Sequence, residues 1–590
     1  MLTIMLFGRK ERGNIVGKIF QRTAIVFAIM ILITALAQAA PAAAALKAAP
    51  LNPDFVKWRE ARDAAAGAKA LSVTQKPNYG YAPSPINWRH LDKAYYSIDG
   101  RQSQARNEEA ALGVSYDLRE KMPPVRDQKP FGNCWTHSAM AATESYLINR
   151  GYVSHDIRLS EWYLTYHAYM PASSDWSFTH VPDPEEPGEM YYDSGGDDWK
   201  AVALLSRGTG SVTDAQSFTP TRNEDVYDPG EIKRSYKLTD ALYLGSLNVR
   251  EVPISDSRRE MVKRAIKEYG AVSVGIDYAD DYLSETTGAY YTGQPYQGTG
   301  HAVTIVGWDD DYAKENFLEE GRPEANGAWI VRNSWGSGFG QEGYFYVSYE
   351  ERTICDGVAY VTEPAPASER IYQYDPLGLV SFMSYADMGE ELPSVPAVGT
   401  EDAPVPVWFA NVFTAEGGDA LHSASFYTSA PNQRCEISVY TGCQESPVDG
   451  TLRATKTAVI SAPGYHTVVF DKAVNVKKGE KFSVVVKTFE IEGLTPYVIP
   501  CEKYQAGYSE MAKSAKGQSW VSVDGETFTD VSDPDAANGD GKPGGVNVCV
   551  KAFASPESTP SGGGSSGGCS AGAAALALLA LVPLTLKRKR

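Results

Sequence analysis

The chain reads as an α+β domain of two segregated halves followed by an all-β domain of jelly-roll or sandwich type. Three observations predict this. Apolar residues recur at helical spacing only before residue 270, strand-like runs follow them, and helix signals nearly vanish beyond Pro364-Ala365-Pro366. From Cys134, the positions Trp135, Ala139, Ala142 and Tyr146 predict a helix of about four turns. A second helix is expected after Gly195-Gly196, where Trp199, Val202, Ala203 and Leu205 share a face. A third runs from Ser257 to Tyr269 on the stripe Met261, Val262, Ala265, Ile266 and Tyr269, and stops at Gly270. Residues 271–276, 301–306, 327–332 and 343–347 are β-branched and aromatic runs and read as strands. Beyond the proline pair, segments 405–415, 420–430, 436–440, 467–470, 481–489 and 546–553 are strand-like and separated by turn residues, which predicts the sandwich.

Around these domains the organisation is simpler. Arg9, Lys10, Arg12, Lys18 and Arg22 precede an apolar run from Thr23 to Ala37 and then small residues, so residues 1–45 read as a signal peptide, with an uncleaved anchor as the alternative. Residues 46–112 read as a pro-region or linker, because periodicity is weak and Lys76-Pro77-Asn78-Tyr79-Gly80 and Pro83-Ser84-Pro85 are turn-rich. The compact domain spans 113–365 and the β domain 368–555. Residues 556–590 hold a Gly/Ser spacer, Cys569, a short apolar run broken by Pro583 and the basic end Lys587-Arg588-Lys589-Arg590. This tail resembles the GlyGly-CTERM and Synerg-CTERM sorting tails of bacterial surface proteins, which implies either removal after export or membrane contact. The net charge of -18 argues against nucleic acid as a partner, since no basic stripe would neutralise phosphates. Cys435, Cys443, Cys501 and Cys549 could form two disulfides in any of three connectivities, leaving Cys134 as a candidate reactive thiol.

The chemistry lies in three segments: Gln128-Lys-Pro-Phe-Gly-Asn-Cys134-Trp135, Gly300-His301-Ala302-Val303 and Asn333-Ser334-Trp335-Gly336. A thiol at the first turn of a helix feels the positive end of the helix dipole, and a nearby imidazolium would stabilise the thiolate further. His301 could supply that imidazolium and later protonate a leaving amine. Asn333 could orient the ring, Trp335 could shield that hydrogen bond, and the Gln128 amide with the Cys134 N–H could form an oxyanion hole. His137, three positions after the thiol, reads as a helix-face residue, and Cys355 as a buried small apolar one. Asp533, Asp535, Asn538 and Asp540 lack the ordered spacing of a calcium loop and read as a solvated turn. No cofactor or metal is called for.

These segments resemble the papain family of cysteine peptidases over roughly residues 113–362, in the family's order of Gln, Cys, His and Asn. The resemblance implies a two-lobed papain-like fold, protein or peptide substrates, and a glycine pair, Gly195 and Gly196, that presents its backbone to the substrate residue two before the scissile bond. It implies residues 271–273 as a wall of the adjacent side-chain pocket. Departures are visible: Phe131 and Asp193 stand where the family has a cysteine pair, and acidic insertions fall at 171–189 and 309–326. The β region, with Trp408-Phe409-Ala410-Asn411-Val412-Phe413, resembles the lectin-like domain that follows such peptidases in some bacteria, which implies a glycan or surface ligand. Two other readings share these residues. One is a catalytically silent adhesin reusing the fold, and the other is an exopeptidase or transferase whose inserted loops close one end of the cleft.

Overall fold

The computed structural model describes residues 46–68, 80–92, 96, 98, 112–169, 176–179, 192–221, 233–247, 254–296, 300–384, 406–489, 495, 497–535 and 544–557. The expected signal peptide, the apolar tail with Cys569, most of the 171–189 insertion, and Asn538 and Asp540 lie outside them. Among the described residues no helix is long and apolar enough to cross a membrane.

The three expected helices form at Cys134–Asn149, Asp198–Ser206 and Asp256–Tyr269. The Asp197 carboxylate caps the second through the N–H groups of Trp199 and Lys200, and Ser255 caps the third through Arg258 N. Gly270 ends the third at φ 90, a conformation that costs glycine little. The Cys134–Asn149 helix is buried almost all round, which is why its apolar stripe is broad rather than one-sided. It lies between the helical half and a sheet in which strand His301–Asp309 pairs with Val272–Ile276 on one side and Ala328–Arg332 on the other. The two-lobed α+β domain and the all-β domain are both present.

The β domain packs a sheet ordered Thr451–Ile460, Gln433–Thr441, Lys481–Phe489, Pro406–Thr414, Ser519–Ser522 and Thr529–Asp530 against a second layer that includes Asp419–Thr428, Gly464–Val476 and Val550–Pro556. Apolar side chains of both layers, among them Phe409, Phe426, Val439, Val484 and Val550, form one core. That second layer does not stop at the domain boundary. Gly464, Tyr465 and His466 pair with Leu242, Ala241 and Asp240 of strand Tyr236–Tyr243, which pairs in turn with Cys355–Pro364. The sheet therefore runs from the β domain into the α+β domain, and residues up to Pro556 form one compact unit.

Three expectations change. The expected disulfides are absent: Cys435, Cys443, Cys501 and Cys549 form no disulfide. Cys435 and Cys501 pack in the sandwich core, whereas Cys549 packs in the core cluster that joins the two domains. The Cys435 sulfur lies 3.7 Å from the Thr488 hydroxyl and Cys443 3.6 Å from the Pro447 carbonyl. The segment expected as weakly structured contains a helix, Pro53–Ala68, and a short strand, Lys47–Ala48, that pairs with Ser381–Ser384. Among the described side chains of this helix only Phe55 is fully buried, against Val380 and Tyr508 of the β domain, so it shows no stripe in sequence. Strands Tyr236–Tyr243 and Cys355–Pro364 add to those expected: the first pairs with Gly464–Val476 of the β domain, and the second lies between the first and Val272–Ile276.

Candidate active site

Cys134 opens its helix, and its sulfur accepts a hydrogen bond from the Ala302 N–H at 3.2 Å, which brings the residue after His301 against the thiol. His301 Nε2 and Asn333 Oδ1 are 2.7 Å apart, and the Trp335 ring stacks on the imidazole at 4.7 Å with an interplanar angle of 18°. Asn333 is an acceptor at that atom, so Nε2 is the protonated nitrogen and the neutral ring holds its lone pair at Nδ1. The order of the elements produces this. Strand His301–Asp309 begins at the histidine, its neighbour ends at Arg332, and the next residue is Asn333.

Gln128 is buried in the loop before the helix. Its side chain donates to Phe131 O at 2.7 Å and accepts from the Ser334 hydroxyl at 2.6 Å, while its backbone N–H donates to Ser334 O at 2.8 Å. Ser334 carries no role in the sequence motif, and the structure makes it the tether between Gln128 and the Asn333 strand end. Arg332 adds a further hold on the same loop through Pro124 O at 2.8 Å.

Gly196 lies against the Trp135 ring and Gly195 against the Gly80 backbone, and Tyr169 donates its hydroxyl to Gly195 O. The family's missing cysteine pair is replaced by other contacts. Phe131 packs edge-on with Trp162 and Tyr192, and the Asp193 carboxylate accepts from Gly132 N at 2.6 Å. His137 is not on a solvated face. Its Nδ1 is 3.4 Å from Glu161, in a buried network where Arg126 meets Glu161 at 2.6 Å and Glu144 at 2.8 Å. Burial and the Arg126 charge hold His137 well below its ordinary pKa, so it is neutral at physiological pH.

The cleft is occupied by the chain's own N-terminal segment. Ala82 N donates to Gly196 O at 2.8 Å, Gly196 N to Gly80 O at 2.8 Å, and Tyr81 N to Gly300 O at 3.3 Å. Gly80 has φ +107, and a β-carbon there would stand 2.0 Å from the Gly132 carbonyl oxygen, so only glycine passes at this point. Residues 80–82 thus run extended between the glycine pair and the strand that carries His301. The result is a sealed site. Burial pushes the Cys134 thiol up to about 12 and brings His301 down to about 4, although the Asn333 hydrogen bond opposes the second shift. The expected thiolate is absent from this closed form because desolvation outweighs the helix dipole.

Comparison with known proteins agrees with this architecture. The sequence model described as papain family cysteine protease matches residues 194–364, which include the glycine pair, His301 and Asn333, and the one described as lectin like domain matches 371–554. Cathepsin K of Gallus gallus is 26% identical over 252 residues, 42% of this chain and 62% of that protein. Digestive cysteine proteinase 3 of Homarus americanus is 28% identical over 260 residues, 43% of this chain and 66% of that protein, so the chain spans just under two thirds of either relative. Among solved structures, the cysteine protease and lectin-like domains of Cwp84, a surface layer associated protein of Clostridium difficile, superpose with a TM-score of 0.64 at 20% identity, covering 87% of this chain and 99% of that one. A structure of the clostridial protease Cwp84 after propeptide cleavage gives 0.55 at 24% identity, covering 75% of this chain and 100% of that one. The chain carries a papain-family cysteine protease domain followed by a lectin-like domain.

Proposed function

We propose that this protein is an exported cysteine endopeptidase, made in a self-blocked form, that hydrolyses peptide bonds through Cys134, His301 and Asn333. The observation that carries the reading is the path of residues 80–82. A stretch of ordinary polypeptide lies extended between Gly196 and Gly300, paired by its backbone beside the thiol, so the cleft is shaped to bind a peptide main chain. Removal of the segment readmits water, and the thiol can then give its proton to His301.

In the reading proposed, the Cys134 thiolate attacks the peptide carbonyl, and the new oxyanion is held by the Cys134 N–H and the Gln128 amide. The carbon–nitrogen bond breaks as His301 donates its proton to the departing amine. Water then attacks the thioester, His301 takes a proton from it, and the acid product leaves with the thiolate restored. Asn333 keeps Nε2 protonated and Nδ1 available throughout, and Gly195 and Gly196 hold the substrate backbone.

Residues 46–112 are the pro-region or linker in this reading. The lectin-like domain holds them before activation and binds substrate or a surface glycan afterwards. The basic and apolar N-terminal residues and the spacer, apolar run and basic end at the C-terminus support export and attachment at the cell surface. The test is labelling with an epoxysuccinyl peptide, before and after limited proteolysis removes the segment, alongside Cys134→Ala and His301→Ala. Labelling confined to Cys134, gained on processing and matched by casein hydrolysis, is expected. A processed, folded protein that takes no label would leave the silent adhesin as the better account.

A further inference from the structure

Resting on the peptidase reading above, we propose that Asp356 makes the pocket occupied by Tyr81 selective for tyrosine, so that the released enzyme prefers chains with tyrosine at the residue paired to Gly196. The segment's main chain is fixed by its bonds to Gly196 and Gly300, and the Tyr81 side chain is therefore presented to a pocket that belongs to the peptidase half. Tyr81 is 2% exposed. Its ring lies flat against two residues without side chains: a β-carbon on Gly275 would meet the ring carbon bearing the hydroxyl at 2.7 Å, and one on Gly300 would meet the ring at 2.6 Å. The walls thus leave a slot for a planar ring.

The floor of the slot is polar. The Tyr81 hydroxyl donates to Asp356 Oδ2 at 2.7 Å, and the Cys355 sulfur lies 3.7 Å from the same hydroxyl. Asp356 does not depend on Tyr81 for its position. Its other carboxylate oxygen accepts from the Tyr243 hydroxyl at 3.0 Å, from a strand behind the pocket. Asp356 also stands at φ 52, in the left-handed region that few side chains adopt. The pairing register slips at this point: Ser273 faces Val358 while Gly275 faces Cys355, so the strand bulges at Asp356 and re-aims its carboxylate into the slot.

Such a floor discriminates by the hydrogen bond it needs. A phenylalanine or leucine side chain would fill the slot and forgo the hydrogen bond to the half-buried carboxylate, whereas tyrosine supplies that donor at the depth already seen for Tyr81. Preference for tyrosine over phenylalanine is expected at about tenfold or more, the effect of one hydrogen bond to a charged acceptor.

The experiment uses the full-length protein after removal of its N-terminal segment by limited proteolysis. Epoxysuccinyl inhibitors and fluorogenic peptides carry Tyr, Phe, Leu or Arg at the residue that pairs with Gly196. Tyrosine should lead by about tenfold or more in both inactivation rate and kcat/KM. In Asp356→Ala and Asp356→Asn this lead should collapse, with Phe and Leu substrates still turned over as proof of folding. Phenylalanine or leucine equal to tyrosine, arginine ahead of it, or a lead that survives Asp356→Ala overturns the assignment while the peptidase reading stands. Absence of labelling and hydrolysis with every probe overturns the peptidase reading, and the assignment with it.

Discussion

Cys134 sits at the first turn of its helix, where aligned peptide dipoles favour a thiolate, yet in the closed chain its pKa is pushed up to about 12 while His301 falls to about 4. Both shifts have the same cause, the loss of water. Opening reverses both directions, so near neutral pH the proton passes from Cys134 to His301 with no net uptake, and opening there does not depend on pH. Epoxide labelling of the intact chain should therefore be slow at neutral pH and rise once the segment is removed. Equal rates before and after processing would contradict this. Ser334 offers a second residue-level test. Ser334→Ala removes the 2.6 Å bond that orients Gln128, so kcat/KM should fall about tenfold while alkylation of Cys134 by iodoacetamide in the processed enzyme is unchanged. Equal losses in both would mean that Ser334 supports the thiol instead.

At the scale of elements, the N-terminal segment is held at points far from the thiol. Strand Lys47–Ala48 extends a sheet of the lectin-like domain, and helix Pro53–Ala68 seats Phe55 between Val380 and Tyr508, with the Tyr508 ring 6.0 Å away. Asn52 then joins this anchor to the cleft segment, donating to Pro85 O at 3.0 Å and to Ser84 O at 2.9 Å. Phe55→Ala should weaken the anchor by about 3 kcal/mol, the ordinary effect of emptying a buried aromatic site. Cys134 in the intact variant should then be labelled faster, and the N-terminal segment cut faster by added protease, with activity after processing unaltered. Unchanged labelling would show that the cleft contacts alone hold the segment. The loop before the Cys134 helix has its own substitute for a disulfide in Asp193 and the Phe131 ring cluster.

For the whole molecule, the shared sheet and core decide how it unfolds. Trp88 stacks on Trp199 and on Tyr243 and meets Phe382 of the lectin-like domain edge-on, and Leu377, Leu379, Tyr427 and Tyr465 complete the same cluster. Arg207 bonds Pro376 O at 3.2 Å across the boundary, and the buried Lys551–Asp375 pair stands 2.8 Å apart beneath it. Scanning calorimetry of the full chain should give one transition, and residues 113–365 expressed alone should be poorly soluble, because strand Tyr236–Tyr243 and this apolar cluster would be bare. Two separate transitions would contradict that reading.

Local sequence by itself determined the two fold classes, the helices at 134, 198 and 256, and the set Gln128, Cys134, His301 and Asn333, because helix periodicity, caps, strand runs and reactive residue types are written in neighbouring positions. The four site residues were legible as a set, though not their tethers. Ser334 and Arg332 act through partners some two hundred positions away, which no local pattern encodes. Only the tertiary structure decided that the four late cysteines remain thiols, that the lectin-like domain anchors the N-terminal segment, and that Tyr81 lies against Asp356. Each of these depends on which surfaces meet, and burial also reversed the protonation that the helix dipole alone implied for Cys134.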